Sequence, residues 1–84
     1  MFAISAVLHG NLTIENGRVI ESNFHDYPVL RMFEMPKISV QVVPSDAKMG
    51  GIGEPATALV APAVANAVFA LTKQRLRTLP LGLA

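Results

Sequence analysis

Cysteine is absent from the 84 residues. No disulfide can staple the fold and no thiolate can hold a metal, so stability must come from packing, and the redox compartment cannot be read from cysteine usage. Aromatic residues are only 6% of the chain and the formal charge is +1. That is far from the basic excess of a nucleic-acid binder, so nucleic acid is set aside as a partner. The first ten residues have no basic n-region and are too short for a secretory signal with its cleavage site. No export label is read, and the compartment stays open between cytoplasm and periplasm. The uncharged stretch at residues 55–71 covers 17 residues and is interrupted by Pro62 and Asn66. It only touches the lower limit for a membrane span, so the chain reads as soluble and a membrane is not expected.

What is present in abundance is apolar surface. The chain is 51% hydrophobic with only 15% charged residues, and its mean hydropathy is +0.42. At 9.0 kDa one small domain, residues 1–84, is the upper bound. Folding at this size hides only roughly 60–65% of the extended chain's surface. This composition therefore offers more apolar surface than a lone domain can easily cover, and an isolated chain is expected to be a homo-oligomer.

The run from Phe2 to Leu8 is apolar on nearly every side and ends at Gly10, as a helix C-cap or a strand end would. The dipeptide Asn16-Gly17, flanked by Leu12-Thr-Ile-Glu15 and Arg18-Val-Ile-Glu21, predicts a β-hairpin with a type I′ turn, because both residues tolerate positive φ. Residues 22–36 show no clean period and contain Pro28, which predicts a long connection. Residues 37–43 alternate, with Ile38, Val40 and Val42 on one face and Lys37, Ser39 and Gln41 on the other. That is the pattern of a half-buried strand.

A glycine-rich loop follows at residues 50–53. Pro62 suits the first turn of a helix, where its missing N–H is harmless, so a helix is expected from about Ala61 to Thr72. Its apolar face is wide: Val60, Val64, Val68 and Leu71 form one stripe, and Ala61, Ala65 and Phe69 a neighbouring row. Lys73, Arg75 and Arg77 then complement the negative pole of the helix dipole, and the tail Leu79-Pro-Leu81 should pack on something. The expected fold is α+β: a short N-terminal helix, a small antiparallel sheet of the hairpin plus one further strand, and a C-terminal helix on one face of that sheet.

Among residues able to carry chemistry, Glu54 stands out, between Gly53 and Pro55 and remote from other acidic residues. Glycine on one side and a rigid proline on the other can present a carboxylate to a buried centre as a general base. The bland alternative, and the stronger one on composition alone, is a solvated loop glutamate near a helix start. His9 and His25 lack a second ligand at helical spacing, so a turn or loop histidine is the better reading than a metal site. Gly51 and Gly53 give only part of a dinucleotide fingerprint and do not lead from a strand straight into a helix. Phe24, Tyr27, Met32, Phe33 and Met35 could line a pocket, though packing is the commoner role for such residues.

Taken in order, several segments resemble one family. They are Ser22-Asn-Phe-His-Asp-Tyr-Pro-Val-Leu-Arg-Met32, Glu34-Met-Pro36, Gly50-Gly-Ile-Gly-Glu-Pro55, Ala61-Pro-Ala-Val-Ala-Asn-Ala-Val-Phe-Ala70 and Arg75-Leu-Arg-Thr-Leu-Pro-Leu81. Together they resemble the C-terminal end of the molybdenum-binding subunit of the xanthine oxidase family, the molybdenum hydroxylases. The greatest likeness is to isoquinoline 1-oxidoreductase β-subunits and bacterial aldehyde dehydrogenase large subunits. The resemblance implies that Glu54 is the active-site general base of an enzyme that hydroxylates N-heterocycles or oxidises aldehydes, taking the proton of a hydroxyl ligand on molybdenum. It also implies that Gly51 and Gly53 let the loop pass close to a molybdopterin cytosine dinucleotide.

Such subunits run to several hundred residues, with further active-site segments upstream. The resemblance therefore implies as partners the remainder of a molybdenum subunit and a separate iron–sulfur subunit, with no cofactor bound and no activity for the chain alone. Two departures stand out. Ala56-Thr-Ala-Leu59 replaces a stretch usually richer in Gly and Pro, and Lys73 stands where many relatives have Gly at the helix end.

Overall fold

The computed structural model describes residues 1–82. Helix α1 spans Phe2–His9. Strands β1 (Ile14–Glu15) and β2 (Arg18–Val19) form an antiparallel hairpin, a 3₁₀ turn covers Met32–Glu34, and helix α2 spans Thr57–Thr72. The chain is α+β, with two helices and a two-stranded sheet.

Local chemistry explains each element. Gly10 closes α1 by donating its N–H to the Ala6 carbonyl at 3.0 Å. Its backbone is not left-handed; glycine is required there because a Cβ would lie 2.5 Å from the Ala6 oxygen. In the hairpin, Asn16 and Gly17 have φ of 50° and 75°, as a type I′ turn needs. The register sets Ile14 opposite Val19 and Glu15 opposite Arg18, an apolar pair and an opposite-charge pair, and Ile20 adds one more bond to the Thr13 carbonyl.

Helix α2 starts four residues before the expected Ala61. Pro55 takes the early role expected of Pro62: it occupies the second position of a turn closed by the Thr57 N–H on the Glu54 carbonyl at 2.9 Å. Pro62 lies inside the helix, where it cannot donate to the carbonyl one turn back. At the far end Thr72 donates its hydroxyl to the Val68 carbonyl at 2.8 Å. Lys73 then breaks the helix at φ 64°, in the left-handed region.

Among the described residues three are buried: Ala3 and Val7, one turn apart on α1, and Leu81. Leu81 donates its N–H to the Val7 carbonyl at 2.9 Å, so the tail does pack as expected, and the Leu79–Pro80 peptide leading into it is cis. The half-buried residues of α2 are Val60, Ala61, Val64, Ala65, Val68 and Phe69, the two rows read from the sequence. Leu71 departs from that stripe and is exposed.

Two further expectations are corrected. Helix α2 packs on α1 and not on the sheet, because the two-residue strands offer no face broad enough for it. The further strand at residues 37–43 is not formed: these residues are irregular and exposed. Alternation specifies which face a strand would bury, yet a strand also needs a neighbour to complete its backbone hydrogen bonds, and none lies beside this segment among the described residues.

The surface totals 7562 Å², against about 4,900 Å² for a compact chain of this mass. The radius of gyration, 16.1 Å, likewise exceeds the roughly 12 Å of a compact domain. The excess of apolar surface read from composition is thus left in the open. Replacing Lys73 by Gly should relieve the left-handed backbone and stabilise α2 by about 1 kcal/mol. Gly10→Ala should instead weaken α1, and thermal melts followed by far-ultraviolet circular dichroism should show opposite shifts for the two variants.

Candidate functional site

The loop carrying Glu54 leads into α2. Residues 50–54 are exposed, and among the described residues the backbone N–H groups of 48–53 make no hydrogen bond to the rest of the chain. A Cβ added at Gly50, Gly51 or Gly53 would meet nothing within 4 Å. Nothing among the described residues therefore demands glycine there, and this backbone is open to close approach. Glu54 is positioned by its own carbonyl, which accepts the first bond leading into α2, and by Pro55 behind it. No other titratable side chain is paired with its carboxylate among the described residues.

The carboxylates that do make contacts lie elsewhere. Asp26 accepts the backbone N–H groups of Ser22 at 3.0 Å and Asn23 at 2.9 Å, closing the turn at residues 22–27. Those donors, Asn23 first and then Ser22, hold its carboxyl below the usual range. Glu21 is lowered mainly by the Thr13 N–H, which reaches both its oxygens at 2.9 and 2.8 Å. Glu34 is lowered first by the Arg31 N–H at 2.7 Å and also by His9, whose Nε2 lies 3.0 Å from Oε1.

His9 and Glu34 are 25 residues apart, a pairing that no local spacing could reveal. His25 lies 3.6 Å from Asp26, so the neighbouring side chains do approach each other. Among the described residues no three His, Asp or Glu side chains gather as a metal site.

Of the residues considered for a pocket, Phe24 and Tyr27 line an open cavity of about 360 Å³ with Leu12 and Glu21. Met32 and Phe33 stand almost fully exposed. Beyond α2, the Arg75 guanidinium lies 3.5 Å from the Phe69 ring centre and donates to the Asn66 side-chain oxygen at 3.3 Å, so this cation folds back along the helix.

Comparison with known proteins covers the same segments. The chain is 40% identical over 78 residues to the beta subunit of isoquinoline 1-oxidoreductase from Brevundimonas diminuta, spanning 93% of this chain and 10% of that protein. It is 37% identical over 81 residues to the membrane-bound aldehyde dehydrogenase [pyrroloquinoline-quinone] of Gluconacetobacter polyoxogenes, spanning 96% of the chain and again 10% of the relative. The B subunit of nicotinate dehydrogenase from Pseudomonas putida is 36% identical over 78 residues, 92% of the chain and 7% of that protein.

The chain is thus similar over most of its length to three oxidoreductase relatives, in keeping with its resemblance to the molybdenum hydroxylases. It spans about a tenth of the length of these curated relatives. A match of 78 out of 84 residues leaves at most six outside it, so the chain is matched across the Glu54 loop and α2. No family model matches the chain, and no solved structure does. Among the described residues the glycine loop offers unbonded backbone N–H groups and one unpaired carboxylate, and no ligand set for a metal.

The Asp26, Glu21 and Glu34 contacts have a defined pH dependence. Each carboxyl is lowered in the folded chain, so its contribution is complete above the ordinary carboxylate range and is lost as pH falls through the depressed value. Acidification through that range should therefore open the turns, with the Ser22, Asn23 and Thr13 amides exchanging faster in hydrogen-exchange NMR. Asp26→Asn should show faster Ser22 and Asn23 exchange already at neutral pH.

Proposed function

We propose that this chain is a piece of a molybdenum-dependent oxidoreductase that hydroxylates N-heterocycles or oxidises aldehydes, and that it supplies the general base Glu54. The observation that carries this reading is the Glu54 loop itself: it lies within the segment matched to three oxidoreductase relatives, and its glycines face open space. Gly51 and Gly53 would lie along the cofactor, a molybdopterin cytosine dinucleotide, with their missing side chains allowing the backbone to approach it. When bound, the molybdenum group supplies the two-electron oxidation of the substrate carbon.

The chain's own part is proton transfer. A general base must sit within hydrogen-bond reach of the proton it removes and keep that position. Glu54 would take up a proton at a carboxylate oxygen, held in place by the turn through Pro55 and the start of α2. The rest of the site would come from the remainder of a molybdenum subunit, of which this chain matches about a tenth of the relatives' length. Electrons would leave through an iron–sulfur subunit; that two of the relatives are named as subunits supports a partner subunit in general.

A second reading, a non-enzymatic self-associating module, is favoured by one observation: the chain exposes far more surface than a compact domain of its mass, with many large apolar side chains on it. A strictly monomeric chain at high concentration in light scattering would remove it.

For the enzymatic reading, Glu54→Gln in the assembled enzyme should lower turnover by roughly 10²–10⁴-fold, the usual contribution of a general base, with molybdenum content unchanged. Unchanged turnover would overturn the assignment. The 84-residue chain alone should neither retain molybdenum nor oxidise a heterocycle or aldehyde.

A further inference from the structure

Asn16 and Gly17 form the tip of the hairpin, and both are exposed. Among the described residues neither the Asn16 side-chain amide nor the Gly17 N–H makes a hydrogen bond. A Cβ built on Gly17 would meet nothing within 4 Å, so the space around its backbone nitrogen is open. A backbone nitrogen that follows asparagine can close a ring onto the asparagine side-chain carbonyl carbon. A side chain on the following residue crowds that approach, and glycine has none. We propose that Asn16 is a site of spontaneous modification, converted through attack by Gly17 to isoaspartate, and that this conversion unmakes the hairpin. The inference is independent of the enzymatic reading.

The step balances without an oxidant or a reductant. The Gly17 nitrogen bonds to the Asn16 side-chain carbonyl carbon, the bond from that carbon to the amide nitrogen breaks, and ammonia leaves with the proton that Gly17 gives up. Water then opens the succinimide ring. Attack at one carbonyl leaves aspartate on an ordinary backbone. Attack at the other leaves isoaspartate, with the main chain running through the former side chain.

Ring closure requires the turn to loosen, and little holds it. Each strand has two residues, one further bond joins the Ile20 N–H to the Thr13 carbonyl, and a lone two-stranded hairpin is marginal in water. The other asparagines are placed less favourably. Asn11 and Asn23 precede the bulky Leu12 and Phe24, and the Phe24 N–H is already donated to the Asn23 side-chain oxygen at 2.8 Å. Asn66 lies inside α2, where the following N–H belongs to the helix ladder, and its oxygen accepts from Arg75.

The consequence follows from the turn geometry. Asn16 and Gly17 hold φ of 50° and 75°, and a type I′ turn needs both. An extra main-chain carbon at Asn16 is incompatible with that two-residue link, so the Ile14–Val19 and Glu15–Arg18 pairs lose their register. The new carboxylate also adds a negative charge next to Glu15.

The test is to age the 84-residue chain in mildly alkaline buffer and map its peptides by tandem mass spectrometry. Asn16 should convert at least about tenfold faster than Asn11, Asn23 or Asn66, with release of an equal amount of ammonia, because only its neighbour lacks a Cβ. Gly17→Asn tolerates the left-handed backbone but crowds the nitrogen, so it should slow conversion at Asn16 by about tenfold. Asn16→Asp carries the new charge without the extra carbon. Its Ile20 amide should exchange as in the fresh chain, whereas the isoaspartyl chain should exchange Ile20 faster. Conversion at Asn16 no faster than at the other three asparagines, or undiminished in Gly17→Asn, would overturn the site. An isoaspartyl chain whose Ile20 amide stays as protected as in Asn16→Asp would overturn the loss of the hairpin.

Discussion

The seat of Leu81 on α1 is the contact on which the described fold depends. Leu81 is 4% exposed, and its neighbours in burial are Ala3 and Val7. Its N–H also satisfies the Val7 carbonyl near the C-terminal end of α1, where the last carbonyls of a helix lack partners within it. One residue thus ties the end of the described chain to its start, on the helix that packs against α2. The helix faces that meet there carry mainly Ala and Val, which let backbones come close but bury little area each. Burial at about 25 cal/mol per Å² gives such a junction little to set against the entropy of ordering the chain.

Where the core gives little, local polar closure shapes the rest. Glu21, Asp26 and Glu34 each fold back onto backbone N–H groups within eight residues. These bonds are exposed, so they direct the chain more than they stabilise it. Glu34 has a further reach, since its second oxygen meets His9 at the end of α1. The 3₁₀ turn is thereby linked to the helix that carries the core. Leu30 adds to the link by donating its N–H to the Ser5 hydroxyl at 3.0 Å, so the long connection is tethered at two points and does not merely wander.

What could be read from the residues was what is encoded locally. Asn16-Gly17 specifies a turn through its tolerance of positive φ, and the hairpin follows. The two apolar rows of α2 are periodic, and the half-buried residues fall on them. The start of α2 is ambiguous in sequence because two prolines, Pro55 and Pro62, each suit a helix beginning, and only the turn closed by Thr57 on Glu54 decides between them. Non-local facts were not legible: the His9–Glu34 pair, and the lack of a neighbour for residues 37–43. Alternation in that segment is information about a face, and a face has meaning only against a partner.

The same reasoning bears on the Glu54 loop. A glycine is normally explained by a backbone angle or by something its Cβ would strike. Gly17 has the first reason and Gly10 the second. Gly51 and Gly53 have neither, because their φ angles are ordinary and their surroundings empty. A chain free to place side chains there gains backbone rigidity by doing so, and this one forgoes that gain directly before a proline-fixed carboxylate. If the reason lies in a group outside the chain, the loop is shaped for close approach and Glu54 is aimed at what approaches. Substituting alanine at Gly51 or Gly53 would then leave the isolated chain no less stable and impair only the assembled enzyme, an asymmetry that a merely solvated loop would not produce.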